Sequence, residues 1–191
     1  MKVLVACEYS GRVRDAFKAK GHDAISCDLL PTEVEGKHYQ GDIKDIIYDG
    51  FDLMIAHPPC THLAVSGSRH FWRKEKEQKE ALDFVRFLMD APIKRYCLEN
   101  PVSIISSRVR PSDQMIQPYM FGHGETKATC FWLKNLPLLK PTEYVKGRVP
   151  RVWLEPPGPD RWKNRSRTYE GIANAMAEQW GDESRLPTPV E

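Results

Sequence analysis

Short runs of apolar and β-branched residues alternate with stretches of helical spacing along the first hundred residues, and each apolar run stops at polar, glycine or proline punctuation. Lys2 to Cys7 reads as a strand, the polar stretch Glu8-Tyr9-Ser10-Gly11 as a loop, and Val13 to Lys20 as a helix that Gly21-His22 ends. Asp23 to Cys27 is a second strand with Asp28 just past it. A short Gly41-Asp42-Ile43 unit and the helical Lys44 to Ile47 lead to Phe51-Asp52-Leu53-Met54-Ile55-Ala56, a strongly apolar strand stopped by His57-Pro58-Pro59-Cys60. Between Phe71 and Met89, the three- and four-residue spacing of Ala81, Leu82, Phe84, Val85, Phe87, Leu88 and Met89 predicts an amphipathic helix. Ala91-Pro92 breaks it, and Arg95 to Leu98 is the next strand, closed by Glu99-Asn100-Pro101. Strands alternating with helices at such short intervals bury both faces of a sheet, which predicts an α/β fold with a mostly parallel sheet and helices on both faces.

The last third is different. Ala128 to Leu133 and a weaker run near Tyr144-Val145 read as strands, but residues 135–160 contain six prolines and no helical period, which predicts loop. Thr168 to Trp180 is a final helix with Ile172, Ala173, Met176 and Trp180 on one face, and residues 182–191 read as a tail. With 191 residues, the chain is expected to form one domain, residues 1–181. Its formal net charge of +2 is too small to announce a polyanion partner by itself. The first apolar run is too short for a signal-peptide core, and the five cysteines form no C-x-x-C pair, so reduced thiols in a cytoplasmic protein away from any membrane are expected.

In an open parallel sheet, ligands bind beyond the carboxyl ends of the strands, and there the chain places Glu8 to Gly11, Asp28, Asp42, Pro59-Cys60 and Glu99-Asn100. Gly11 permits a tight turn, and a carboxylate such as Asp28 past the second strand can accept two hydrogen bonds from a ribose diol, although a turn glycine and a helix-capping aspartate would look the same. Cys60, on a loop stiffened by two prolines, is held out of the core where a thiolate could attack, and Glu99 ends a neighbouring strand on the same edge. His57, Cys60 and His62 also have H-x-x-C-x-H spacing, but the prolines make a compact chelate awkward and no metal is expected.

The order of these motifs resembles the cytosine carbon-5 DNA methyltransferase family. Cys7-Glu8-Tyr9-Ser10-Gly11 is similar to the family's first cofactor motif, Asp28 to the acidic residue after the second strand, and Gly41-Asp42-Ile43 to the third motif. Pro58-Pro59-Cys60 resembles the Pro-Cys nucleophile motif and Glu99-Asn100-Pro101 the Glu-Asn-Val motif. Phe121 to Trp132, with Lys127 inside it, resembles the basic strand motif that contacts DNA near the target base, and Ala173-Asn174-Ala175-Met176 the terminal Gly-Asn-Ser-Val motif. The likeness spans residues 1–133 and 168–180. Val13 and Arg14 stand where the family has its second and third glycines, and only Lys127 represents its Gln-x-Arg motif.

The resemblance implies a Rossmann-like S-adenosylmethionine-dependent methyltransferase fold, with Tyr9, Ser10, Gly11, Asp28, Asp42, Ile43, Pro59 and Asn174 at the cofactor. It also implies Cys60 as nucleophile, Glu99 as the acid at ring nitrogen 3 and Lys127 at the substrate. A raised Glu99 carboxyl pKa would suit that role. The family's large target-recognition domain has no counterpart here. Residues 134–167 instead hold nine Lys or Arg against three acids, a net of +6, with Trp153 and Trp162 interleaved, a composition suited to phosphate contacts and base stacking. A second basic cluster, Arg69, Arg73, Lys74, Lys76 and Lys79, follows Cys60. DNA, duplex or single-stranded, is the expected partner, and a protein partner could supply target recognition. Such a compact form would suit a phage or mobile element. RNA, a free pyrimidine nucleotide and a non-catalytic DNA-binding role remain open alternatives.

Overall fold

The computed structural model describes residues 1–189, and the side chains of all of these except residues 69–72. Arg69 of the second basic cluster and the last two residues of the expected tail therefore lie outside the described side chains and residues. Seven strands form one sheet in the order β3-β2-β1-β4-β5-β7-β6. They are β1 (Lys2–Ala6), β2 (Asp23–Asp28), β3 (His38–Gln40), β4 (Leu53–Ala56), β5 (Arg95–Pro101), β6 (Gln114–Ile116) and β7 (Thr129–Lys134). The first five are parallel, while β7 runs antiparallel to both β5 and β6. The helices are α1 (Arg12–Ala19), α2 (Glu75–Met89), α3 (Ile105–Arg108), α4 (Arg151–Leu154), α5 (Arg161–Ser166) and α6 (Glu170–Trp180).

The apolar runs are buried on both sides because alternate residues feed two separate cores. Leu4, Ala6, Met54, Ala56 and Leu98 pack under Leu82, Val85 and Leu88 of α2. Val3, Val5, Leu53, Ile55 and Cys97 pack under Phe17 of α1 and Ile172, Met176 and Trp180 of α6. This double cover is what continuous apolar strands require. The chain steps outward from β1 to β2 and β3 and then returns to β4 on the other side of β1, so the connections diverge between β1 and β4. A crevice opens beyond the carboxyl ends of the strands at such a switch point.

Several segments differ from the sequence-based expectation. β3, β6 and α3 were not expected, and β5 continues through Glu99 to Pro101 because six residue pairs tie it to β7. Tyr144-Val145 forms no strand: isolated bridges, Phe121 to Glu143 and Glu125 to Val149, flank that stretch, and Val145 N donates to the Tyr119 carbonyl. The proline-rich segment contains a short helix, α4, instead of loop alone, and a second, α5, follows it. The expected tail folds back over its described part: Asp182 caps a turn by accepting from Ser184 N, Leu186 packs against the α6 core, and Arg95 donates to the Pro187 carbonyl. Among the described residues no helix is long and apolar enough to cross a membrane.

Candidate active site

Cys60 and Glu99 reach one cavity because β4 and β5 are parallel and in register. Ala56 pairs with Leu98, so the residues that follow, His57 and Glu99, come side by side. His57 Nδ1 lies 2.6 Å from Glu99 Oε2, and one step further the Asn100 side-chain amide donates to the Pro58 carbonyl at 2.9 Å. These two bonds pin the proline loop to β5, with Cys60 at its end. The cavity, of about 120 Å³, is floored by Cys7, Tyr9, Ser10, His57, Pro59, Cys60, Glu99 and Asn100. Lys127 enters from the loop before β7, its backbone N donating to Gln117 Oε1. Arg165, Ser166, Arg167 and Thr168 roof the cavity from the end of α5.

A second pocket, of about 270 Å³, lies beside the first and shares Cys7 and Pro59 with it. Asp28, Leu29, Asp42, Ile43 and Phe84 line it. The two pockets therefore flank the point where the connections diverge, and Cys7, held at φ 59° in the left-handed region that side chains rarely adopt, sits between them. Asp28 accepts from Leu30 N and Asp42 from Lys44 N, so each carboxylate is oriented by its own following turn.

The electrostatics run opposite to the expectation for Glu99. Burial pushes its carboxyl pKa up, but the His57 hydrogen bond and charge, with help from Lys127, outweigh burial and hold it below the ordinary value. His57 shows the complementary shift: burial pulls it down, while Glu99 and Glu8 carry it above its ordinary value. Both shifts favour the charged form of the pair, imidazolium with carboxylate. The Cys60 thiol is raised, first by burial and then by the Glu99 charge, against the lowering pull of Lys127 and Arg165. These shifts favour a thiol at Cys60 and a carboxylate at Glu99.

Tyr9, Ser10, Pro59, Cys60, Glu99 and Lys127 thus meet in the first cavity, and Asp28, Asp42, Ile43 and Pro59 in the second. Gly11 shapes the turn into α1 at φ 73°, where a side chain would collide with Arg14 and Val34. Asn174, expected at the cofactor, is exposed and lines a different pocket with Ser10, Arg12 and Glu33, because α6 packs on α1 through Ile172, Ala173 and Met176 and turns Asn174 outward. Glu8 was read only as part of the loop after the first strand, with no role of its own. Its buried carboxylate accepts from the backbone N–H groups of Val13 and Arg14, which closes the α1 amino terminus to any outside anion. Arg14, standing where a glycine was expected, is fully buried and donates to Ser26, Thr32 and the carbonyls of Val34 and Glu35, tying the loop after β2 to α1. His57 was weighed only as a metal ligand or loop residue. Among the described residues, no group of three His, Cys, Asp or Glu side chains is placed to hold a metal ion.

No family model matches the sequence, and no curated protein does. Solved structures match by fold. A candidate DNA modification methyltransferase encoded within a prophage of E. coli superposes with a TM-score of 0.52 at 13% identity, over 81% of this chain and 55% of that one. A triple-alanine mutant of DNMT2 from Spodoptera frugiperda gives a TM-score of 0.40 at 16% identity, over 77% and 54% of the two chains. The chain therefore spans about half the length of either structure. With its mostly parallel seven-stranded sheet, it has the Rossmann-like fold of methyltransferases.

Proposed function

We propose that the chain is an S-adenosylmethionine-dependent methyltransferase that methylates carbon 5 of cytosine in DNA through a covalent bond from Cys60 Sγ to ring carbon 6. The observation that carries this is the convergence of Cys60, Glu99 and Lys127 on one cavity whose wall, Cys7 and Pro59, also bounds the pocket of Asp28 and Asp42. A lone buried cysteine would explain neither the acid beside it nor the adjoining pocket.

The second pocket suits a nucleoside cofactor. Asp28 offers a carboxylate to a ribose diol, while Leu29, Ile43 and Phe84 give apolar walls for a flat ring, and the shared wall leads toward Cys60. When bound there, S-adenosylmethionine would supply an electrophilic methyl group. Carbon 5 of cytosine is too weak a nucleophile to accept one unaided. Addition of the Cys60 thiolate at carbon 6 makes carbon 5 enamine-like, and a proton from Glu99 to ring nitrogen 3 neutralises the charge that the addition creates. The thiol and carboxylate of the resting cavity become thiolate and acid when the Cys60 proton passes to Glu99, so the proton given to nitrogen 3 comes from within the site. Water takes up the carbon 5 proton as the sulfur–carbon bond breaks, Cys60 leaves as thiolate, and the nitrogen 3 proton returns to Glu99.

Nucleic acid fits the rim better than a small molecule does. Lys127 and Arg165 line the cavity with no ion-pair partner among the described residues, and Trp153, Trp162 and Tyr144 are exposed on the same basic segment. Cations without carboxylate partners, together with exposed aromatic rings, suit phosphates and unstacked bases, and a base in duplex DNA must be flipped out to reach Cys60.

The test is incubation with duplex and single-stranded DNA carrying 5-fluorocytosine, together with S-adenosylmethionine, followed by mass spectrometry in denaturant. Fluorine blocks the final elimination, so a covalent adduct is expected, and Cys60→Ala should abolish it and lower methylation at least a thousandfold without shifting the thermal midpoint. Absence of an adduct from folded wild-type protein on either DNA refutes the DNA assignment. The same trap on RNA or a free nucleotide then decides the substrate class.

A further inference from the structure

His57 meets Glu99 across a hydrogen bond of 2.6 Å, and the two side chains are only 11% and 12% exposed. The His57 backbone N donates to the Ala6 carbonyl, which anchors the residue at the switch point between β1 and β4. Among the described residues its buried Nε2 has no partner, and the imidazole makes its one side-chain hydrogen bond to Glu99. The groups facing the pair are Glu8 and Asp28 past β1 and β2, Cys60 and Lys127 around the cavity, and Cys97 and Cys130 in β5 and β7. Of these only Lys127 is a cation, and it is no hydrogen-bond partner of Glu99 among the described residues. Glu99 Oε1 accepts no hydrogen bond among the described residues, whereas Oε2 is committed to His57. An acid whose oxygens were both uncommitted could rotate and carry its proton on either one.

We propose that His57 is the positioning residue for Glu99: by donating Nδ1–H to Oε2 it leaves Oε1 as the oxygen that carries the proton to ring nitrogen 3. This rests on the carbon-5 chemistry above. As the bond from Cys60 Sγ to carbon 6 forms, the Oε1 proton moves to nitrogen 3, the carboxylate left behind keeps its bond from Nδ1–H, and the proton returns when the adduct breaks down. The imidazole retains its own protons throughout.

The pH dependence follows. The reactive arrangement pairs a Cys60 thiolate with a protonated Glu99, the reverse of the resting one, so its population is flat between the two ionisations. It falls at low pH with Glu99 and at high pH with Cys60. The imidazolium holds Glu99 down, so removing its charge raises Glu99 and moves the acid limb to higher pH.

The experiment compares kcat and kcat/KM against pH for wild type, His57→Ala and His57→Asn on cytosine-containing DNA, with circular dichroism and thermal midpoints confirming folded protein. His57→Ala should lower kcat about a hundredfold with KM changed only a few-fold. His57→Asn keeps an N–H donor without the charge, so it should recover most of kcat, with the acid limb of kcat/KM moved upward by about one pH unit. A folded His57→Ala with wild-type kcat, a His57→Asn no better than alanine, or an unmoved acid limb in His57→Asn would each overturn the proposal while leaving carbon-5 methylation standing. Failure of the wild-type protein to form the 5-fluorocytosine adduct overturns the underlying chemistry and this role together.

Discussion

Cys60 and Glu99 hang from strand ends that are paired on both sides, β4 with β1 and β5, and β5 with β4 and β7. Arg165 and Ser166 reach the same cavity from a six-residue helix outside the sheet. The floor is held by two buried cores and a continuous hydrogen-bonded ladder. The roof is held by a few polar contacts: Tyr9 Oη to Ser166 Oγ at 2.7 Å and to the Lys163 carbonyl at 3.1 Å, Arg167 to Glu33 at 2.6 Å, and Arg12 to the Thr168 carbonyl at 2.9 Å. The one ion pair among them, part-exposed, contributes about 0–1 kcal/mol, and the hydrogen bonds about 0.5–1.5 kcal/mol each. Cys60 and Glu99 are therefore mounted on the part of the molecule expected to open only with global unfolding, and the cover on a part expected to open at lower cost. The proposed reaction, which would bring DNA into the cavity and then exclude water from it, calls for this division.

The largest effect is expected where the floor depends on one polar side chain. Arg14 is fully buried and its guanidinium satisfies two hydroxyls and two carbonyls, which fastens the loop after β2 against α1. Arg14→Ala removes a fully buried side chain together with the hydrogen bonds by which it holds the loop after β2, which should cost about 3 kcal/mol. Urea denaturation checks this as a lower midpoint at unchanged slope. A loss below about 0.5 kcal/mol would mean that the loop is held by other contacts and that the floor is less rigid than its burial suggests.

The floor was legible in the sequence because its determinants are local. Apolar runs such as Leu53 to Ala56 announce strands, and Pro58-Pro59 announces where one stops. What was not legible depends on register or on very short elements. The His57–Glu99 bond joins residues 42 apart and exists only because Ala56 pairs with Leu98. The expected rise in the Glu99 pKa failed for the same reason, since burial was foreseeable and the imidazolium beside it was not. β3 and β6, three residues each, and α4 and α5, four and six residues, are too short to display a period. The roof was read from its charge, but its fold could not be.

A middle-sized effect should separate the two regions by function. Arg165 lines the cavity without an ion-pair partner among the described residues, whereas neighbouring Arg167 is engaged by Glu33. Arg165→Gln should weaken DNA binding by about tenfold at low salt and reduce the slope of log affinity against log salt by about one, with the thermal midpoint unchanged. Fluorescence anisotropy over a salt series measures both. An unchanged slope would remove Arg165 from the phosphate contacts and leave the roof as a cover alone.

The smallest effect falls on the seam. Tyr9 belongs to the floor by its position after β1, yet its hydroxyl bonds the Lys163 carbonyl and Ser166 Oγ and its ring tilts against Trp162 at 5.9 Å. Tyr9→Phe keeps the ring contact and removes only the hydroxyl, at a cost of about 0.5–1.5 kcal/mol to those hydrogen bonds. If roof and floor open separately, that cost appears locally: amide hydrogen exchange should quicken in α5 while the urea midpoint barely moves and the core strands keep their protection. If the midpoint falls by the full amount and exchange in β1 and β4 quickens as much as in α5, the two regions unfold as one unit. The cavity would then have to admit its substrate by some motion other than lifting α5.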